Sequence, residues 1–495
     1  EEGRPQQISH VALHHAAAYA RPAAGAPRAV AGARVPVEVA PRLFVLAVDE
    51  LHLLPQNVQR AREALKRFVA RVPEGDRVAI FTSTGVGAVL QSFTDDREVL
   101  REAVGRVAPR AHAPEGLHDI PRLGIYQASL IDRLDRKARD AAISEVLRDD
   151  PGLLPQMAAA IVDSKARVLM ADARRTAKAA LDTLRTHMLL LRQVPGRKVV
   201  VFVSDGFYLD SDGSADLREV SGLAAYAGAA FYSLDMRGLE SKLTSGDVTE
   251  GGRVLGFDTE RYRRQEFEQM RQGLNALARD TGGLPLFNQA DPAAALDRAL
   301  EDSAVWYRIA YSPSDPPRPG VFRKVEVRVN RPGVHVRTFK GYLPGLNVKA
   351  APALDRLQQA LLSLAPVNEI APELALGWLD TSEGPSAVVA TRLDPGAWAG
   401  AARGQRSVPV KLRGLILDAA NQPVARFDDE REVRLDSARP EPALTFATQT
   451  VLKPGKHQVR VAVQAGERMG TAFGSIDIPD SSVATLAVSD VFVSH

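Results

Sequence analysis

The sequence contains no cysteine. Disulfides, thiolate zinc sites and cysteine nucleophiles are therefore excluded, although the compartment stays open, because secreted proteins also do without cysteine. An excess of one charge is missing too. The 63 basic and 60 acidic residues leave a formal net charge of +3, so no global field argues for a nucleic-acid partner. No run approaches the ~18 uninterrupted apolar residues of a membrane helix. No GxSxG, Walker A lysine loop, HExxH or GxGxxG in strand–turn–helix context occurs. What remains is ordinary for globular protein: 45% hydrophobic and 25% charged residues over 495 positions, enough for about two to four domains. No signal peptide opens the chain. Residues 1–11, EEGRPQQISHV, read as the end of a strand–turn–strand unit, so upstream sequence, and a leader with it, is expected.

Residues 12–41, rich in Ala, Pro and Arg without periodicity, read as a linker. LFVLAVD (43–49) has the continuous apolar character of a strand buried on both faces. Pro55 suits a helix start, and Val58, Ala61, Leu65, Phe68 and Val72 repeat at helical steps. RVAIFTST (77–84) is the next buried strand and AVLQSF (88–93) an antiparallel edge strand. A helix follows, with Thr94 or Asp95 as its N-cap. Residues 109–195 carry no strand signal and read as a helical insertion. RKVVVFVSDGF (197–207), a helix near 216–227, AAFYSLDM (229–236), a helix near 264–280 and LPLF (284–287) resume the alternation. The order predicts a doubly wound, mostly parallel α/β domain over 42–300. Segments 305–313, 322–330 and 333–342 alternate at period two and predict an antiparallel extension over 301–345. A boundary falls near 344–352, and the short, evenly spaced strands of 350–495 predict a β-sandwich the size of an immunoglobulin-like module.

These segments carry a resemblance. LFVLAVDELHL through RVAIFTSTG, YQASLIDRLD, PGRKVVVFVSDGF, LARDTGG, WYRIAYSP and FRKVEVRVNRPGVHVRTFKGY stand in one collinear order. Together they resemble the von Willebrand factor A-type domain of the VWFA-related family of secreted bacterial proteins, across roughly residues 40–345. EEGRPQQI is similar to the end of the β-domain that precedes the A domain in that family, and LKPGKHQVRVAV and FGSIDIP to its C-terminal β-sandwich. The resemblance implies a sheet of order 3-2-1-4-5-6. It also implies a secreted, periplasmic or extracellular location and a function in binding or adhesion to another protein.

It further implies a divalent-cation site where the first and fourth strands diverge, built from Asp-x-Ser-x-Ser, a separate Thr and Asp-Gly. Here Asp49 and Asp205 match the two aspartates, but Leu51 and Leu53 stand at the serine positions, and no threonine loop is assignable. Two carboxylates without hydroxyls hold Mg²⁺, Mn²⁺ or Ca²⁺ loosely. His52 would add a nitrogen better suited to Zn²⁺ or Mn²⁺. The competing reading is structural: an aspartate leaving a strand caps the next helix or accepts loop N–H bonds. LDSDGSAD (209–216) gathers Asp210, Asp212, Ser214 and Asp216 like a calcium loop, without the downstream bidentate glutamate. Hydroxyls at Thr82, Ser83 and Thr84 end a strand where open α/β sheets bind ligands. With Phe207, Asp210 and Asp212 they make the expected partner-binding rim. No catalytic base–nucleophile pair is legible. The alternatives are a structural subunit of an envelope assembly and, less favoured, a metal-assisted hydrolase using Asp49, His52 and Asp205.

Overall fold

The computed structural model describes residues 1–16, 36–83, 89–109, 120–238, 249–250, 253–254, 257–315, 318, 321–344, 355–365, 367–394, 407–418, 422–434 and 443–480. The chain divides into two compact units, Glu1–Thr84 with Thr94–Asn347, and Gly85–Phe93 with Val348–His495.

The first unit is mixed α/β around a mostly parallel sheet. Its strands and helices are β1 (Ile8–Ala16), β2 (Val37–Ala40), β3 (Leu43–Val48), α1 (Pro55–Arg71), β4 (Arg77–Thr82) and α2 (Arg97–Gly105); β5 (Val89–Thr94) lies between the last two in sequence and, but for Thr94, is grouped with the second unit. The three helices α3 (Ile125–Asp132), α4 (Arg136–Asp149) and α5 (Pro155–Leu191) follow. Then come β6 (Lys198–Ser204), α6 (Ser211–Ala227), β7 (Ala229–Asp235), β8 (Thr249–Glu250), β9 (Arg253–Val254) and α7 (Phe257–Asp280). β10 (Pro285–Leu286), α8 (Pro292–Asp302), β11 (Val305–Tyr311), β12 (Arg323–Lys324) and β13 (Gly341–Tyr342) complete it.

The six-stranded sheet runs β10-β7-β6-β3-β4-β5, the anticipated order. β3 is parallel to both β4 and β6, and β7 is parallel to β6 and β10. Every residue of β3, β6 and β7 is buried, as expected of strands covered on both faces. α1 starts at Pro55 and buries Val58, Ala61, Leu65, Phe68 and Val69 along one face. At the opposite end of the sheet from the candidate site, Arg42 and Asp76 form a buried ion pair. The Arg42 Nε donates to Asp76 Oδ2 at 2.9 Å, and Nη1 reaches the Leu300 carbonyl at 2.7 Å.

Among its described residues, the stretch expected to be an insertion holds three helices joined by short turns, and no strand. α3, α4 and the 37-residue α5 pack together through Ala138, Ala142, Ala158, Val162, Ala166 and Met170.

Several boundaries differ from the expectation. Part of the supposed linker is structured, because β1 runs to Ala16 and β2 pairs with it in parallel. β11 pairs with β1, not with the segment after it. Segments 322–330 and 333–342 form a ladder only at Arg323–Lys324 and Gly341–Tyr342. The alternating valines Val329, Val334 and Val336 remain exposed, so no buried face drives a longer ladder. The N-cap of α2 is Asp96, which accepts N–H bonds from Glu98 and Val99, not Thr94 or Asp95. α6 begins at Ser211, five residues before the expected start.

Beyond Val348, the described residues of the second unit contain α9 (Arg356–Leu361) and the strands β14 (Glu373–Thr381), β15 (Gly384–Leu393), β16 (Ser407–Leu417), β17 (Pro423–Arg434), β18 (Leu444–Val451), β19 (Gly455–Ala465) and β20 (Arg468–Ile478). They form antiparallel sheets β14-β15-β18 and β17-β16-β19-β20. Trp378, Val389 and Phe446 of one sheet share a core with Val410, Val461 and Ile476 of the other. β17, not singled out as a strand by the sequence pattern, is a full strand with a highly charged sequence, PVARFDDEREVR.

Candidate functional site

Asp49 and Asp205 are each the first residue beyond a strand, β3 and β6, and these strands are neighbours. The register pairs Val48 with Val203, which brings Asp49 beside Ser204. The sequence therefore places both carboxyl groups at the carboxyl edge of the sheet, where open α/β folds present their sites. Asp235, which sequence reading did not single out, ends β7 at the same edge.

Asp49 is fully buried. Its Oδ2 accepts a hydrogen bond from Ser204 Oγ at 2.9 Å and lies 2.9 Å from His52 Nδ1. Burial opposes its charge. The adjacent His52, with hydrogen bonds from His52, Ser204 and Ser83, outweighs that and holds the carboxyl below the usual range. Asp205 is buried as well, and its Oδ2 accepts from the Leu54 N–H at 2.7 Å and from Asn57 Nδ2 at 2.9 Å. Here burial prevails over those hydrogen bonds, and the carboxyl is pushed up to about 6. Each carboxyl group keeps one oxygen, Oδ1, buried and without a hydrogen-bond partner. Gly206 beside it has φ 86°, and a Cβ there would lie 2.5 Å from the Met270 carbonyl oxygen. Glycine is thus required for backbone reasons alone.

The two leucines at the serine positions behave as apolar residues. Leu53 is fully buried, and Leu51 contributes only its N–H, donated to Ser83 Oγ at 3.2 Å. Hydroxyls do reach the site, but from other elements: Ser204 from β6 and Ser83 from the end of β4. Asp235 is neutralised locally, since Arg237 binds it at 2.8 Å and Arg271 at 3.3 Å.

α5 lies over this edge. Thr176 Oγ1 is 3.2 Å from His52 Nε2, Thr183 Oγ1 donates to the Ser83 carbonyl at 3.3 Å, and His187 stacks on Phe81 at 3.9 Å. Both ring nitrogens of His52 therefore have protein partners, which leaves it a bridge between Asp49 and α5 and not a ready metal ligand. Hydroxyl, imidazole and carboxylate follow one another in the order of a nucleophile–base–acid relay. Yet the Thr176 hydroxyl already donates to the Asp172 carbonyl at 2.9 Å, within its own helix.

The remaining expectations are corrected by burial and capping. Thr82, Ser83 and Phe207 are buried in the sheet edge and offer no accessible rim. Thr84 lies outside the described residues. Asp210 and Asp212 reach solvent, but they open a helix and are not part of a calcium loop. Asp210 caps α6 by accepting the Gly213 N–H at 2.9 Å and pairs with Arg174 at 3.0 Å. Ser214 and Asp216 follow on the helix itself. Among the described residues, no three His, Cys, Asp or Glu side chains are grouped to hold a metal ion.

No family model matches this chain, and no curated protein matches it. Among solved structures, a glycosyl hydrolase family 2 member from Bacteroides cellulosilyticus is similar at 19% identity and a TM-score of 0.17, over 23% of this chain. The chain spans about 15% of that hydrolase's length. The Northeast Structural Genomics Consortium target SoR45 is similar at 13% identity and a TM-score of 0.16, over 26% of this chain and 98% of its own. Neither likeness is close enough to carry an argument about fold or chemistry. No helix among the described residues is long and apolar enough to cross a membrane.

Proposed function

We propose that this chain is a protein-binding, adhesion-type protein of the envelope or extracellular space. In this reading the first unit is a von Willebrand A-type domain whose cation site has degenerated, and the second is an immunoglobulin-like sandwich serving as spacer or added contact surface. One observation carries the reading. Asp49 and Asp205 end adjacent strands where a cation would sit, yet each gives an oxygen to the chain's own donors, Ser204 and His52 for one, Leu54 and Asn57 for the other. Aspartates occupied in this way hold the loop between β3 and α1 in place. A divalent ion would have to compete for them with the two leucines contributing nothing, so Mg²⁺, Mn²⁺ or Ca²⁺ binds weakly and partner recognition does not run through a metal bridge.

Calorimetry with Mg²⁺, Mn²⁺, Ca²⁺ and Zn²⁺ on the purified chain, followed by affinity for a cross-linked partner with and without EDTA, tests this. Millimolar or weaker metal binding and unchanged partner affinity are expected. A loss of more than about tenfold, 1.4 kcal/mol, on chelation, restored by Mg²⁺, would reject it and return Asp49 and Asp205 to the role of working ligands.

A further inference from the structure

In the three-stranded sheet β11-β1-β2, His14 sits on the middle strand, with Trp306 of β11 opposite it on one side and Glu38 of β2 opposite it on the other. The His14 and Trp306 rings stack with centroids 4.0 Å apart and planes 7° from parallel. His14 is 5% exposed, and Ala12 and Ala16, which share its face of β1, are buried as well. β2 is four residues long, and Val37 and Val39, which alternate with Glu38, are half exposed. Little apolar burial therefore ties β2 to its neighbour. The surroundings of His14 oppose a proton. Arg308 of β11, Arg197 ahead of β6 and His10 of β1 act against the charged ring, and Glu38 favours it. Glu38 Oε2 stands 3.4 Å from His14 Nε2, but both Glu38 oxygens accept from Arg308 Nη2, at 2.9 and 3.1 Å. The carboxylate is also 41% exposed, so solvent weakens its pull. His14 Nε2 is buried without a hydrogen-bond partner, whereas an imidazolium has two N–H donors to satisfy. The Arg197 guanidinium already lies 5.2 Å from the Trp306 ring centroid. Asp302, which also acts on Arg197, is engaged by Tyr232 Oη at 2.7 Å and Arg337 Nη1 at 2.9 Å.

We propose that His14 is an acid-sensitive latch on this sheet. Neutral, it stacks on Trp306, and β1 holds both of its neighbours. Charged, it leaves the stack for solvent, and β2 separates from β1. The six-stranded sheet stays intact, because β3, β6 and β7 are buried along their whole length. Burial most of all, with the three cationic neighbours and against Glu38, keeps the stacked imidazole below its ordinary value of 6.5. The latch is therefore fully closed above about pH 6.5, where stacked and released rings are both neutral. It opens as the pH falls below that value, since the released ring takes up the proton that the stacked ring refuses.

The chain has three tryptophans, Trp306, Trp378 and Trp398, so the full chain carrying Trp378→Phe and Trp398→Phe reports Trp306 alone. Between about pH 7.5 and 5, which spans the ordinary imidazole value, its emission should move to longer wavelength as the indole meets water. Over the same range, hydrogen-exchange protection of peptides covering β1 and β2, corrected for the intrinsic pH dependence of exchange, should fall at least tenfold while β3 and β6 hold theirs. His14→Phe keeps an aromatic ring on Trp306 and leaves His10 and His15 in place, and it should abolish both responses. Equal responses with and without His14→Phe would overturn the latch, and so would the absence of any response in the parent. Quenching of Trp306 with neither a wavelength shift nor a loss of protection would also overturn it, since the ring would then be protonated in place. Exchange on the chain with all three tryptophans, compared with its His14→Phe and His14→Gln variants, gives the same decision if the two tryptophan replacements impair folding.

Discussion

Asp205→Asn should make the protein more stable at neutral pH, although it removes half of the acidic pair at the sheet edge. The Asp205 carboxyl is raised from 3.8 to about 6, chiefly by burial. A raised acid binds its proton more tightly in the folded state. The penalty is therefore absent below pH 4, where both states are protonated, grows between pH 4 and 6, and is complete above 6. About two units correspond to about 3 kcal/mol. Asparagine keeps an acceptor for Leu54 N–H and Asn57 Nδ2 but places an NH₂ where Oδ1 is buried without a partner, which returns about 1–2 kcal/mol. The expected balance is a gain of about 1–2 kcal/mol above pH 7, reversing in sign below pH 4. Urea unfolding from pH 4 to 8 measures it, read by hydrogen exchange of peptides covering β3 and β6 so that only the first unit is followed. A constant offset across that range, or an Asn variant clearly weaker than the parent at pH 7.5, would refute the reasoning. Mg²⁺ supplies a second check, since a working ligand would make the parent, and not the variant, gain stability with the ion.

Asp49 is predicted to behave oppositely. Its carboxyl is held low, so its contribution is present at neutral pH and disappears on acidification. Asp49→Asn should cost about 1–3 kcal/mol at pH 7 and less near pH 3 by the same assay. Asp76→Ala strands the Arg42 guanidinium, which is 5% exposed, and should lower stability by about 3–5 kcal/mol; a loss below about 1 kcal/mol by thermal unfolding would mean that water reaches this pair. His52→Phe and Thr176→Val should couple by about 1 kcal/mol in a double-mutant cycle, and additivity would show that α5 is not held through that contact. Gly283→Ala would set a Cβ 1.8 Å from the Phe231 carbonyl oxygen, so soluble yield should collapse, while normal expression would show that β7 and the Gly283 segment can part at little expense.

The sheet was legible because its strands advertise burial. LFVLAV and KVVVFV leave no polar residue between the ends, and each is followed by a helix with its own period. Asp49 and Asp205 were legible as the first polar residues after such strands. Their partners were not. Ser204, Asn57 and Thr176 come from three different elements, and nothing local marks a hydroxyl on a long surface-patterned helix as the one that meets a histidine 124 residues earlier. Phe207 was misjudged because a loop position after a strand suggests exposure, whereas the ring packs 5.6 Å from His52 and 6.4 Å from Phe202. The segments 322–330 and 333–342 failed in the other direction. Alternation supplies the two faces of a ladder, but a ladder lengthens only when one face finds something to cover it.

β17 escaped notice because seven of its twelve residues are charged, and those charges have a use. The strand stands at one end of the order β17-β16-β19-β20, so one side of its backbone has no neighbour in that sheet. A smooth apolar edge of this length would invite a strand from another chain to add on and the sheets to fuse into fibres. Asp428, Asp429, Glu430 and Glu432 instead line it with charge, paired to Arg413, Arg431 and Lys411 and hydrogen-bonded by Ser407, which an incoming apolar strand would have to desolvate. Trading these residues for threonine and valine would leave the backbone ladder between β16 and β17 in place and present an apolar edge prone to aggregation.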